Sequence, residues 1–172
     1  MGIIVMKFGA SAVSDVEGIR VVADIVRQAV ASSTEGEVRD SVLAVVSALA
    51  GVTDSLFAAA SAAKDGDLSV ARRVCGELRE SHKAIARELS SAGSEETEAE
   101  IDSIVAALDS RLQGVRLVGE LSDRNMDEIA AAGERLASIL VALALGAPSL
   151  DARPMLRTDS RFGRARPDQA SI

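Results

Sequence analysis

The chain has 172 residues, room for one domain or for one domain and a fragment of another, with 48% apolar residues to build a core. Aromatic residues make up 2%, with no Trp and no Tyr, and the net charge is -7; base-stacking platforms and general phosphate neutralisation, the usual means of binding nucleic acid, are thereby excluded. A single cysteine excludes an intrachain disulfide and a cysteine-based metal cluster, and no stretch is long and apolar enough to span a bilayer.

The chain opens on a short apolar run, Ile3-Ile4-Val5-Met6, without a basic leader region, so a cytoplasmic protein is expected. Residues 3–7 read as a short buried strand that ends on Lys7, followed by the small-residue turn Phe8-Gly9-Ala10-Ser11-Ala12. A helix should follow, opened by the capping box Ser14-Asp15-Val16-Glu17 and carrying the stripe Ile19, Val22, Ala23, Val26, Ala29, Val30. Ser32 to Asp40 is a polar break. Val42 to Val46 is apolar at every position, as expected of a strand covered on both faces. Strand, helix and strand at this spacing form a βαβ unit, which implies a parallel sheet. A second helix begins near Thr53.

From Asp67 to about Leu145 the chain reads as helical throughout. Leu68, Ala71, Cys75, Leu78, His82, Ile85 and Leu89 form one stripe, and Ile101, Ile104, Val105, Leu108, Leu112 and Val115 form the next. Asn125-Met126-Asp127-Glu128 can cap a last helix with Met126, Ala130, Gly133, Ala137, Leu140 and Ala144 on its buried side. Gly146-Ala147-Pro148 stops it, and Ser149 to Ala152 suits a short strand. Beyond Arg153 the chain is polar and basic, with no strand or helix to anchor it.

Three places can carry chemistry. Lys7 with Gly9 offers an ammonium and close backbone approach to a phosphate, although a strand-end lysine reaching solvent over a tight turn fits the same residues. Ser47, Thr53 and Asp54 stand at the carboxyl end of the second strand, where open α/β sheets bind ligands; Thr53 could equally cap its own helix. Glu134, after an interior Gly133 that signals close packing or close ligand approach, could receive an ammonium or pair with Arg135 at the surface. His82 and Cys75 read as core residues, and Glu95, Glu96, Glu98 and Glu100 as a solvated helix start.

Together these segments resemble the aspartate kinases of the amino-acid kinase family. The resemblance rests on Lys7-Phe8-Gly9, on Val45 through Leu56, on Gly133-Glu134-Arg135-Leu136, and on Asp151-Ala152-Arg153 leading to Thr158 through Ala165. It implies an α/β three-layer sandwich with a mainly parallel sheet and a helix-rich middle. It also implies that residues 1–172 are the N-terminal, amino-acid-binding lobe of a kinase domain, without the nucleotide-binding half and the regulatory domains.

The reaction implied is transfer of the ATP γ-phosphate to the β-carboxylate of L-aspartate, with Mg²⁺ arriving on the nucleotide. By the same resemblance Lys7 would stabilise the transferring phosphoryl group, with Gly9, Ala10 and Ser11 lining the phosphate site. Ser47, Thr53 and Glu134 would hold the amino acid, Glu134 facing its ammonium. The family's opening motif has a second glycine followed by Thr-Ser where this chain has Ala10, Ser11 and Ala12. A complementary C-terminal kinase piece or a homo-oligomer is the expected partner, and an exposed half-sheet should favour self-association. A non-catalytic amino-acid-binding or regulatory homologue is the competing reading.

Overall fold

The computed structural model describes residues 2–32, 41–90 and 94–168. It is an α/β fold in which two parallel strands, β1 (Ile3–Phe8) and β2 (Ser41–Val46), are flanked by five α-helices. The expected βαβ unit is present: β1 leads through a 3₁₀ turn (Ala10–Val13) into α1 (Val16–Ser32), and the chain returns in β2. Most of the polar break, residues 33–40, lies outside the described residues. Lys7 pairs with Val45 and Phe8 with Val46 in the parallel register.

The strands are less buried than their sequences imply. β2 exposes alternate residues, with Leu43 and Val45 at about 40% accessible, while β1 exposes Ile3, Ile4 and Val5 in succession, Ile3 and Val5 at 72% and 62%. Met6, Phe8, Val42, Ala44 and Val46 turn toward the protein. An all-apolar strand signals two faces that can be covered; only one is covered by the residues present.

Helix α1 starts differently from the expected capping box. The Asp15 carboxylate, not the Ser14 hydroxyl, accepts the Gly18 N–H at 2.8 Å, while Ser14 Oγ donates to the other Asp15 oxygen at 3.1 Å. These bonds hold the Asp15 pKa below the ordinary aspartate value, the Gly18 N–H first among them. Of the expected stripe, Ile19, Val22, Ala23 and Val26 are buried, whereas Ala29 is half-buried and Val30, near the helix end, is exposed.

Four helices then pack on one another and on α1: α2 (Val52–Lys64), α3 (Leu68–Leu89), α4 (Ser94–Val118) and α5 (Asp123–Leu145). Their facing stripes form one continuous aliphatic core in which Leu56, Ile101, Ile104, Leu112, Ile129, Leu136 and Leu140 are fully buried. Burial of each such side chain stabilises the fold by about 1.5–3 kcal/mol. Cys75 lies in this core, and burial pushes its thiol up to about 11. His82 is also buried; its Nδ1 sits 2.7 Å from the Leu78 carbonyl oxygen, and its Nε2 has no partner. The α4 start is less solvated than its run of glutamates suggests, because Glu98 reaches across to the Arg87 guanidinium on α3.

Helix α5 begins earlier than the Asn125 cap implies. Ser122 is the N-cap, and its hydroxyl accepts the Asn125 N–H. Gly146, at φ 66°, ends the helix as expected. Ser149 to Ala152 is irregular rather than a strand. The basic terminal stretch, in contrast, is anchored: Thr158 and Pro167 form an antiparallel bridge, Gly163 N–H donates to Asp127 at 2.8 Å, and the Arg124 guanidinium lies over the Phe162 ring. No helix of the described residues is long and apolar enough to cross a membrane.

Candidate functional site

The carboxyl ends of the two strands bring the predicted residues to one end of the fold. Strand pairing sets Lys7 beside Val45, and the Ser47 N–H donates to the Phe8 carbonyl at 3.1 Å, so the loops after β1 and β2 leave the sheet side by side. Lys7 is exposed on the uncovered face of the sheet. Gly9 follows in extended backbone, and among the described residues other than its chain neighbours the atom within 4 Å of a Cβ position there is Lys7 Nζ, at 3.9 Å. The space beside the ammonium is therefore open, which suits a phosphoryl group.

Ala10 opens the 3₁₀ turn, which the Ala12 N–H closes onto the Gly9 carbonyl at 2.9 Å, and Ser11 is exposed on it. Val13 is fully buried and ties this turn to the core. The loop that would face a phosphate is thus held from behind by packing.

On the second strand, Ser47 is half-buried and opens the loop to α2. Thr53 does not cap that helix. The N-cap is Gly51 at φ 79°, a left-handed conformation that favours glycine, and no side chain closes the cap. Thr53 instead lies half-buried in the first turn, where the Val52 and Ser55 amides donate to the Leu49 and Gly51 carbonyls.

Glu134 reaches the same end from α5. The helix approaches closely because residue 133 is glycine: a Cβ there would lie 2.9 Å from Ala48 Cβ and 3.0 Å from Val52 Cγ1. Of the two roles open to this glycine, close packing is the one observed. Glu134 is exposed and lines a groove of about 690 Å³ between α1, the edge of β2 and α5, together with Val45, Val46, Arg135 and Ser138. Lys7, Ser47 and Thr53 border this end of the fold but do not line that groove.

Asp151 and Arg153 close the groove's far side and were not singled out by their sequence pattern alone. Arg153 folds back on Asp151, with its Nε 2.9 Å from Asp151 Oδ1, and this holds the aspartate down to about 2. The signal was there in the Asp-x-Arg spacing, but a two-residue spacing alone does not distinguish a local ion pair from a ligand site. Among the described residues no group of three His, Cys, Asp or Glu side chains is placed to hold a metal ion.

The model of the amino acid kinase family matches residues 2–171. An aspartokinase of Chlamydia muridarum is 31% identical, covering 97% of this chain and 34% of that protein. The aspartokinase of Chlamydia trachomatis is 33% identical over the same shares. Among solved structures, E. coli aspartokinase III in complex with aspartate and ADP superposes with a TM-score of 0.81 at 26% identity, covering 99% of this chain and 36% of that one. The same enzyme in complex with lysine and aspartate gives 0.77 at 28% identity. The chain therefore spans about a third of the length of the relatives it matches.

Proposed function

Because this chain belongs to the amino acid kinase family, we propose that it forms the amino-acid-binding lobe of an aspartate kinase, which phosphorylates the β-carboxylate of L-aspartate to 4-phospho-L-aspartate. The observation that supports this reading most is the close approach of Gly133, which precedes Glu134, to Ala48 and Val52, which adjoin Ser47 and Thr53, in a chain matched over nearly its whole length by an aspartokinase whose complex contains aspartate and ADP.

In this reaction a β-carboxylate oxygen attacks the γ-phosphorus of ATP, the bond to the bridging oxygen breaks, and ADP leaves with the electron pair. Such a transfer needs positioning and charge stabilisation more than covalent help from the protein. Lys7 sets its ammonium beside the open space at Gly9, against the charge of the transferring group. The amides after Gly9, with Ala10 and Ser11, border the phosphates. Ser47 and Thr53 offer hydroxyls to the amino acid, and Glu134 offers a carboxylate to its ammonium. Mg²⁺, carried on the nucleotide, supplies further charge neutralisation.

Titration of L-aspartate into the chain tests the pocket. Saturable binding that Glu134→Ala weakens several-fold is expected, since the carboxylate's pairing with the ammonium is lost; no binding at millimolar aspartate would refute the reading. In an ATP-dependent hydroxamate assay the 172 residues alone should be inactive. A second reading, a non-catalytic amino-acid-binding homologue, is favoured by Ala10, which puts a Cβ where backbone must approach phosphate. It predicts the same aspartate binding, and no turnover even when the complementary half of a related kinase is supplied.

A further inference from the structure

Among the described residues four glycines lie inside α-helices: Gly18, Gly76, Gly114 and Gly133. A glycine destabilises a helix interior relative to alanine, so each needs a local reason. At Gly76 and Gly114 an added Cβ would meet nothing within 4 Å, and the positions tolerate a side chain. At Gly18 a Cβ would stand 2.7 Å from the Ala12 carbonyl oxygen, a contact within the turn that leads into α1. At Gly133 the contact is between distant elements: a Cβ there would stand 2.9 Å from Ala48 Cβ, 3.0 Å from Val52 Cγ1 and 3.3 Å from Leu56 Cδ1.

Those three atoms belong to the stretch that follows Ser47 and runs through Thr53. Ala48 has no rotamer to change, so its Cβ moves only with its backbone. Val52, β-branched and in the first turn of α2, is stiff about χ1. Ala48, Val52 and Leu56 are all buried, leaving no solvent side to retreat into. Any side chain at 133 must push the β2–α2 loop away from α5.

From this geometry we infer that Gly133 is a positioning residue for the amino-acid site: it fixes the distance between the Glu134 carboxylate and the Ser47 and Thr53 hydroxyls. The inference rests on the reading that these three groups hold one substrate amino acid. Gly133 itself touches no substrate. It acts by letting the helix that carries the carboxylate rest directly on the loop that carries the hydroxyls, so that both ends of a small amino acid meet preset partners.

The test compares Gly133→Ala, the control Gly76→Ala, and the double variant Ala48→Gly with Gly133→Ala, in which the closest contact is removed. Two quantities are read on folded protein: backbone amide resonances without ligand, and the affinity for L-aspartate. Gly133→Ala should shift the amide resonances of Ser47, Ala48, Val52 and Thr53 and weaken aspartate binding about tenfold or more. The double variant should return the resonances and recover affinity to within about threefold of the parent. Gly76→Ala should change neither. Unshifted loop resonances in folded Gly133→Ala, or shifted resonances with unchanged affinity, overturn the inference. Should Gly133→Ala not fold, the double variant decides: folding with near-parent affinity supports the inference, and failure to fold assigns Gly133 to general packing and overturns it. If the parent chain binds no aspartate, the substrate reading fails, while the resonance shifts and their rescue still decide whether Gly133 sets the loop.

Discussion

The Ser47 N–H donates to the Phe8 carbonyl at 3.1 Å, and this single bond carries the pairing of the two strands one step past their last register partners. It ties the turn that follows Lys7 to the loop that leads to Thr53. Ser47 therefore has two separable contributions, a backbone donor that closes the sheet and, in the function proposed above, a hydroxyl offered to the amino acid.

Ser47→Ala keeps the donor and removes the hydroxyl. Its unfolding free energy in urea should stay within about 0.5 kcal/mol of the parent, while aspartate affinity falls. Ser47→Pro removes the donor as well and should lower stability by about 1–3 kcal/mol. Chemical denaturation and an aspartate titration on both variants check this; equal stability of the two would contradict the role assigned to the backbone bond.

His82 makes stability depend on pH. Burial holds its pKa below the ordinary 6.5, against an opposing contribution from the Leu78 carbonyl. In the unfolded chain the imidazole binds a proton at a pH where the folded protein refuses it. Stability is therefore full above about 6.5 and falls as pH drops through that value toward the lower folded pKa. Urea unfolding between pH 8 and 5 should show the decline, and His82→Leu should flatten it. The carboxylates whose pKa values are depressed, Asp15, Asp67, Glu98, Asp102 and Asp151, lose their contributions only at more acidic pH.

The terminal hairpin should loosen when its anchor is cut. Asp127→Ala removes the acceptor for the Gly163 N–H and keeps the stacking of Arg124 on Phe162. Limited trypsinolysis at Arg161 and Arg164 should accelerate about fivefold, the equivalent of about 1 kcal/mol for one hydrogen bond. Unchanged cleavage would show that the bond does not restrain the segment.

The uncovered sheet face should drive self-association. Val5 and Leu43 are register partners and both exposed, with Ile3 and Val45 beside them. Sedimentation velocity should show mass increasing with concentration, and Val5→Lys with Leu43→Lys should return a monomer. A parent chain that stays monomeric at every concentration would contradict this.

Much of this was legible in the sequence because it rests on periodicity. The stripes of α1, α3 and α4 and the burial of His82 and Cys75 follow from three- and four-residue spacing around a core that has few aromatics. Helix caps were less legible. Ser14 and Asp15 are adjacent oxygen acceptors, as are Ser122 and Asn125 within one turn, and backbone geometry rather than residue type chose between them. The burial of β1 and β2 was overread, since an apolar pattern reports which faces can be covered and not which ones are. The strand expected at Ser149 to Ala152 gave way to a local pairing, with Arg153 curled onto Asp151. Within the candidate site, each residue was visible as a type. What the sequence could not display was the close approach at Gly133, which depends on atoms 85 positions away at Ala48 and 81 away at Val52.

Helix α5 holds Asp127, the hairpin's anchor, and Glu134, the groove's carboxylate, seven residues apart on one rod. At 1.5 Å per residue that is about 10 Å along the axis. Glu134 follows directly on the Gly133 contact, so the groove's carboxylate sits where α5 is held closest to the β2–α2 loop, while the hairpin is anchored about two turns nearer the N-terminal end of the same helix.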